Sequence, residues 1–229
     1  MPVFSGKATQ YREQGIMKRR TFVGLLAMAI LVGACGKPTK LPAIRPGKTV
    51  LAFGDSVTHG SGASAGQDWP TLLASQTGWR ITNAGIPGDT AEAGKERIQA
   101  LLDEYRPALV IIEIGGNDFL RRRSAKAVKE DLRRMIQAVR KAEAQVVLVA
   151  VPEFSLLGVV AGKPSDSPIY EELGDEEKIP VIGKVFADIL GRPELRADQI
   201  HPNARGYQQM AAGILAYLKE SGLAAAGGS

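Results

Sequence analysis

Asp198-Gln199-Ile200-His201-Pro202-Asn203 holds one of the two histidines of the chain, the other being His59. A carboxylate three residues before a histidine can receive one ring N–H within a turn, which leaves the second nitrogen to take a proton from a hydroxyl. The candidate hydroxyl is Ser56, in Gly54-Asp55-Ser56. Together these residues offer the parts of a nucleophile relay: hydroxyl, imidazole and orienting carboxylate. Each part also has a plainer reading. Gly-Asp-Ser is common turn chemistry, and His201 would serve equally as a surface histidine at the start of the last helix. His59 has only Asp55 nearby and reads as a loop residue.

Two further stretches could supply donors for an oxyanion. Gly88 lies in the loop Ala84-Gly85-Ile86-Pro87-Gly88-Asp89-Thr90, where a missing side chain lets a backbone N–H approach closely. Asn117, in Gly115-Gly116-Asn117-Asp118, offers a side-chain amide, and the Ser56 N–H is a third donor.

These groups need a frame. Val50-Leu51-Ala52-Phe53 is an apolar run stopped by Gly54, the pattern of a buried strand feeding a tight turn. Further strands are expected at Arg80–Asn83, Leu109–Ile114, Gln145–Val151 and Ile179–Ile182. Helices are expected at Trp69–Gln76, Ala91–Tyr105, Ser124–Ala142 and Ala204–Glu220. Strands that are almost wholly apolar and alternate with helices predict a parallel sheet covered on both faces. Ligands of such sheets bind beyond the carboxyl ends of the strands, where Ser56, Gly88 and Asn117 all fall. Glu153–Glu177 carries no clear period.

In order along the chain, Gly54-Asp55-Ser56, then Gly88 with Asp89-Thr90, then Gly115-Gly116-Asn117-Asp118, then Asp198 to Asn203 resemble the four sequence blocks of the SGNH (GDSL) hydrolases. The likeness runs from about Val50 to Tyr207 and is nearest to the small bacterial periplasmic esterase, thioesterase and lysophospholipase group. It implies a three-layer α/β/α flavodoxin-like fold with a parallel five-stranded sheet. It further implies a Ser–His–Asp hydrolase needing neither metal nor cofactor. By position it implies Ser56 as nucleophile, His201 as base, Asp198 as its orienter, and Ser56, Gly88 and Asn117 as the oxyanion hole. Val57 stands where the signature has leucine, a packing position. Phe154–Tyr170 fits the family less well, although Phe154–Val160 is apolar enough to line an acyl pocket.

Other chemistries are poorly supported. Gly88 to Lys95 has the wrong spacing for a phosphate loop, and Glu96 stands where it needs Ser or Thr. Thr58 replaces the second glycine of a Gly-x-Ser-x-Gly elbow. One cysteine makes a cysteine-rich zinc site unsupported. The net charge of +5 is concentrated before residue 35, where five basic residues face one acidic one, leaving 24 basic against 23 acidic in the rest. So neutral a domain carries no electrostatic footprint for nucleic acid. Arg121-Arg122-Arg123 reads as a solvated loop or helix start.

Met17-Lys18-Arg19-Arg20, the apolar run Phe22–Val32 and then Gly33-Ala34-Cys35 read as an export signal. The run is shorter than the roughly 20 residues a membrane span needs. Val32-Gly33-Ala34-Cys35 resembles a bacterial lipobox, which makes Cys35 the expected lipidation site; a simple cleaved signal is the plainer reading. Gly36 after the cysteine leans towards the outer membrane. Arg19-Arg20 resembles a twin-arginine motif more weakly. The expected layout is a signal over 1–35, a linker over 36–48, the hydrolase domain over 49–221 and a disordered tail over 222–229. The expected protein is a lipid-anchored, monomeric esterase of the bacterial cell envelope, on the periplasmic side, acting on small acyl esters, thioesters, aryl esters or lysophospholipids. A carbohydrate O-acetyl esterase is the alternative, which exposed Trp69, Trp79 or Tyr170 would favour. A non-catalytic envelope lipoprotein is the remaining reading.

Overall fold

The computed structural model describes residues 41–153 and 164–225. Cys35, the apolar run before it and Phe154–Val160 lie outside the described residues.

Five parallel strands form one sheet: β1 (Thr49–Gly54), β2 (Arg80–Gly85), β3 (Leu109–Glu113), β4 (Gln145–Val149) and β5 (Val181–Ile182), in the order β2-β1-β3-β4-β5. That is the flavodoxin-like order, with its switch point where β1 lies between β2 and β3. Parallel pairing sets Gly54 beside both Gly85 and Glu113 at the carboxyl edge. Val50–Phe53 and Leu109–Ile112 are fully buried because helices cover both faces of the sheet.

On one face, α3 (Ala91–Tyr105) packs on α5 (Ala125–Lys141), and α5 on α6 (Ile169–Glu177). On the other, α2 (Trp69–Thr77) packs on α8 (Ala204–Glu220), and α8 on the short α7 (Val185–Leu190). Right-handed crossovers dictate this division, because the chain reverses direction along the sheet after β2. Local sequence starts and stops the helices. Ser124 caps α5 by accepting the Ala127 N–H, and Val128, Leu132, Met135, Ile136 and Val139 line its buried stripe. Thr90 caps α3 in the same way, and Arg106 ends it in the left-handed region just before Pro107.

Two short helices follow the carboxyl ends of the central strands: α1 (Ser56–His59) after β1, and α4 (Gly116–Leu120) after β3. The close approach of α1 requires glycine at 54, since a Cβ there would lie 2.1 Å from Thr58 Oγ1 and 2.2 Å from the Glu113 carbonyl.

Three features depart from expectation. The stretch without a clear period, Glu153–Glu177, contains α6, which buries Ile169, Tyr170 and Leu173, and the segment after Ile182, given no element, contains α7, which buries Phe186, Ile189 and Leu190. The last strand is only two residues long. The linker and tail boundaries both shift. Leu223 and Ala224 are buried, the Ile44 N–H donates to the Leu223 carbonyl at 2.8 Å, and Trp79 Nε1 donates to the Ile44 carbonyl at 3.1 Å. The described ends of the expected linker and tail therefore pack on the domain at Ile44 and Leu223, because each has apolar surface to bury.

Candidate active site

Ser56 begins α1 at the end of β1. The preceding Asp55 caps that helix, its Oδ1 accepting the Val57 N–H at 3.0 Å. Val57 is buried, as its packing position requires, and His59 ends α1 exposed to solvent.

His201 comes from a tight loop before α8. Asp198 Oδ1 accepts the N–H groups of Ile200 and His201, both at 2.8 Å, and the Ala197 N–H donates to the His201 carbonyl at 2.9 Å. Asn203 closes the loop: its Oδ1 caps α8 through Gly206, and its Nδ2 donates to the carbonyls of Glu194 and Arg196. Tyr207, buried in α8, donates its hydroxyl to the Ser61 carbonyl at 2.7 Å and so ties this loop to the one after α1.

The two loops bring the three sequence-selected side chains together. His201 Nε2 is 2.9 Å from Ser56 Oγ, and His201 Nδ1 is 2.7 Å from Asp198 Oδ2. With the proton on Nδ1, the ring donates to Asp198 and accepts from the Ser56 hydroxyl. Burial pushes the Asp198 carboxyl up, but the His201 ring and the two backbone N–H donors outweigh it and hold the group below its ordinary range. Ser56 and His201 line a cleft with Gly116, Asn117, Leu120, Val151, Phe186 and Ile200. Its lining is polar at Ser56, Asn117 and His201 and apolar at Leu120, Val151, Phe186 and Ile200.

The oxyanion candidates are placed less uniformly. The N–H groups of Ser56 and Gly88 have no hydrogen-bond partner among the described residues. Gly88 is exposed, has φ +80° and does not line the cleft. Asn117 lines it, but its Nδ2 already donates to the Asp89 carbonyl at 2.9 Å and to Asp55 Oδ2 at 3.3 Å.

Several polar groups that sequence reasoning did not select surround this core. Burial pushes the Asp55 carboxyl up to about 7, against the Val57 N–H and the His201 ring, with Asp89 and Asp118 adding to the rise. Glu113, fully buried beneath it, is raised well above its ordinary value by burial and then by Asp55, while its Oε2 accepts the Thr58 hydroxyl at 2.8 Å. Asp118 Oδ2 accepts the Ala91 N–H at 2.8 Å, joining α4 to α3. Arg123 bonds Asp118, and Arg121 donates to the Gly88 carbonyl at 3.1 Å, so this arginine run does more than meet solvent. These links cross between elements and leave no periodic signal in the chain. The aromatics that would have favoured a sugar surface, Trp69, Trp79 and Tyr170, are all buried.

No cluster of metal-ligating side chains occurs among the described residues. No described helix is long and apolar enough to cross a membrane.

Comparison with known proteins agrees with this geometry. A family model described as the GDSL-like Lipase/Acylhydrolase family matches residues 52–209. The chain is 34% identical over 158 residues to the Escherichia coli (strain K12) protein named Thioesterase 1/protease 1/lysophospholipase L1, covering 68% of this chain and 76% of that one. It is 32% identical over 183 residues to Esterase TesA of Pseudomonas aeruginosa, covering 76% and 89%. Among solved structures, one titled Crystal Structure of TesA superposes with a TM-score of 0.68 at 30% identity, over 76% of this chain and 99% of that chain.

Proposed function

Since the chain belongs to the GDSL-like lipase/acylhydrolase family and is an ester-bond hydrolase, we propose that it is a serine esterase for acyl esters, thioesters, aryl esters or lysophospholipids, acting through an acyl-enzyme on Ser56. The observation that carries this reading is the continuous path from Ser56 Oγ to His201 Nε2 at 2.9 Å and from His201 Nδ1 to Asp198 Oδ2 at 2.7 Å.

His201 Nε2 takes the hydroxyl proton as Ser56 Oγ attacks the acyl carbonyl. Asp198 stays ionised, keeps the proton on Nδ1 and stabilises the imidazolium. The tetrahedral oxyanion receives the unpartnered N–H groups of Ser56 and Gly88, together with the Asn117 amide. The Asn117 amide becomes available to the oxyanion by giving up its weaker 3.3 Å contact with Asp55. The imidazolium then protonates the leaving alcohol or thiol. Water, deprotonated by His201, attacks the acyl-enzyme and releases the acid.

The apolar cleft wall of Leu120, Val151 and Phe186 suits an acyl chain, and the burial of Trp69, Trp79 and Tyr170 removes what would have favoured a sugar. Export and anchoring through Cys35, placing a monomer on the periplasmic side of the bacterial envelope and at the outer membrane, rest on the order of charge, apolar run and small residues before that cysteine.

The test is Ser56→Ala assayed with p-nitrophenyl esters and a fluorophosphonate probe. Turnover and labelling are both expected to vanish; a variant that turns over ester at the parent rate refutes the assignment. A panel of aryl esters, acyl thioesters and lysophospholipids then ranks the substrates.

A further inference from the structure

Arg97 lies on α3, outside the cleft lining, yet it connects the parts of the site. Its Nε donates to Asp89 Oδ2 at 2.7 Å, and its Nη2 donates to the Gly54 carbonyl at 3.0 Å. Its guanidinium carbon sits 3.9 Å from the centre of the Phe53 ring. Gly54 stands two residues before Ser56, and Asp89 directly follows Gly88. The Asp89 carbonyl accepts the Asn117 amide at 2.9 Å. One side chain thus joins the strand end that carries Ser56 to the loop that carries Gly88, and Asp89 passes the link on to Asn117.

We propose that Arg97 is a positioning residue that sets the spacing of the three oxyanion donors without touching substrate. The proposal rests on the assignment of Ser56 as nucleophile. An ordinary surface ion pair would contribute little, but this one differs in burial and in shape. The Asp89 side chain is only 7% exposed and that of Arg97 21%. A planar guanidinium meets a carboxylate and a carbonyl in fixed directions at once, which a lysine ammonium does not do. Arg121, just past α4, donates to the Gly88 carbonyl at 3.1 Å. The Gly88-Asp89 segment is therefore held both from α3 and from the end of α4, and loss of Arg97 frees it to shift relative to Ser56.

The experiment compares the full-length parent with Arg97→Met and Arg97→Lys. Active sites are counted by fluorophosphonate labelling carried to completion, so that misfolded protein drops out. Three quantities are then measured per labelled site: kcat and KM for a p-nitrophenyl ester, the affinity for a trifluoromethyl ketone that forms a tetrahedral adduct, and the affinity for the product acid. Removing an oxyanion donor outright costs about 100- to 1,000-fold in kcat, and displacing donors costs part of that. We expect Arg97→Met to lower kcat about 30-fold, with KM and product affinity within about threefold of the parent. Ketone affinity should fall by the same factor as kcat, and Arg97→Lys should recover part of both. A purely structural role would lower the labelled fraction and leave kcat per site unchanged. That result, or equal losses in kcat and product affinity, overturns the proposal while the Ser56 assignment stands. If Arg97→Met gives no labelled protein, Arg97→Lys is judged by the same criteria. A parent that fails to label overturns the Ser56 assignment, and this proposal with it.

Discussion

Asp55→Asn should change how stability depends on pH, and the change follows from burial. The Asp55 carboxyl rises from 3.8 to about 7, chiefly because its charged form is cut off from water. In the folded chain the group therefore holds its proton until about pH 7, whereas the unfolded chain releases it near 4. The stabilisation this gives is complete below pH 4 and is lost as pH rises through 7. The rise from 3.8 to about 7 makes the whole loss about 4 kcal/mol. Between pH 5 and pH 8 about 3 kcal/mol of it disappears. Asparagine has no proton to release, so its contribution is flat over the same window. Its Oδ1 can still accept the Val57 N–H, now 3.0 Å from Asp55 Oδ1. Urea unfolding of parent and variant at pH 5 and pH 8 measures the difference directly. The stability of Asp55→Asn relative to the parent should rise by about 3 kcal/mol from the lower pH to the higher. A relative stability that stays level or falls refutes the view that a buried, proton-holding carboxyl lies beside the nucleophile.

Asp198→Asn should leave the fold in place and lower kcat about 1,000-fold or more, because an amide facing Nδ1 favours the wrong tautomer of His201; steady-state kinetics per labelled site checks it, and a loss under tenfold contradicts the orienting role. Gly54→Ala should destabilise the protein by about 3 kcal/mol or prevent folding, since the added carbon meets Thr58 Oγ1 and the Glu113 backbone at 2.1 and 2.2 Å. Thermal unfolding of that variant within two degrees of the parent would show that α1 can retreat from the sheet.

The frame was legible wherever burial writes a period into the chain. Val50–Phe53 and Leu109–Ile112 are apolar throughout because both faces of their strands are covered, and the α5 stripe from Val128 to Val139 is read directly. The contacts among Ser56, Asp198 and His201 were legible because a hydroxyl–imidazole–carboxylate arrangement needs those types and the chain has so few histidines. Where elements are short, the pattern weakens. Helix α7 has six residues, too few to repeat, and β5 keeps only Val181–Ile182 of the strand expected over Ile179–Ile182. Long-range polar bonds leave no trace at all: the bond from Arg97 to the Gly54 carbonyl spans 43 residues. The closing of the domain by Ile44 and Leu223 was hidden for a related reason. Each lies in a short stretch near proline or glycine that carries no strand or helix period, and only the fold shows that they meet.

Two carboxyl groups flank the Ser56 hydroxyl, and their surroundings push them apart. Asp198 is held below its ordinary range by the His201 ring and backbone N–H donors, despite partial burial. Asp55 is raised to about 7 by burial, and burial together with Asp55 raises the Glu113 carboxyl well above its ordinary value. Near neutral pH one carboxylate is charged on the far side of the imidazole, where an imidazolium forms. The buried pair is wholly or partly neutral on the side where the oxyanion forms. A full negative charge on Asp55 would oppose that oxyanion across a poorly screened interior and would hold the Asn117 amide more firmly. Burying Asp55 over Glu113 therefore has a physical consequence beyond packing: it removes negative charge from the side of Ser56 where charge must develop, while the exposed loop keeps negative charge on the side where a cation must be stabilised.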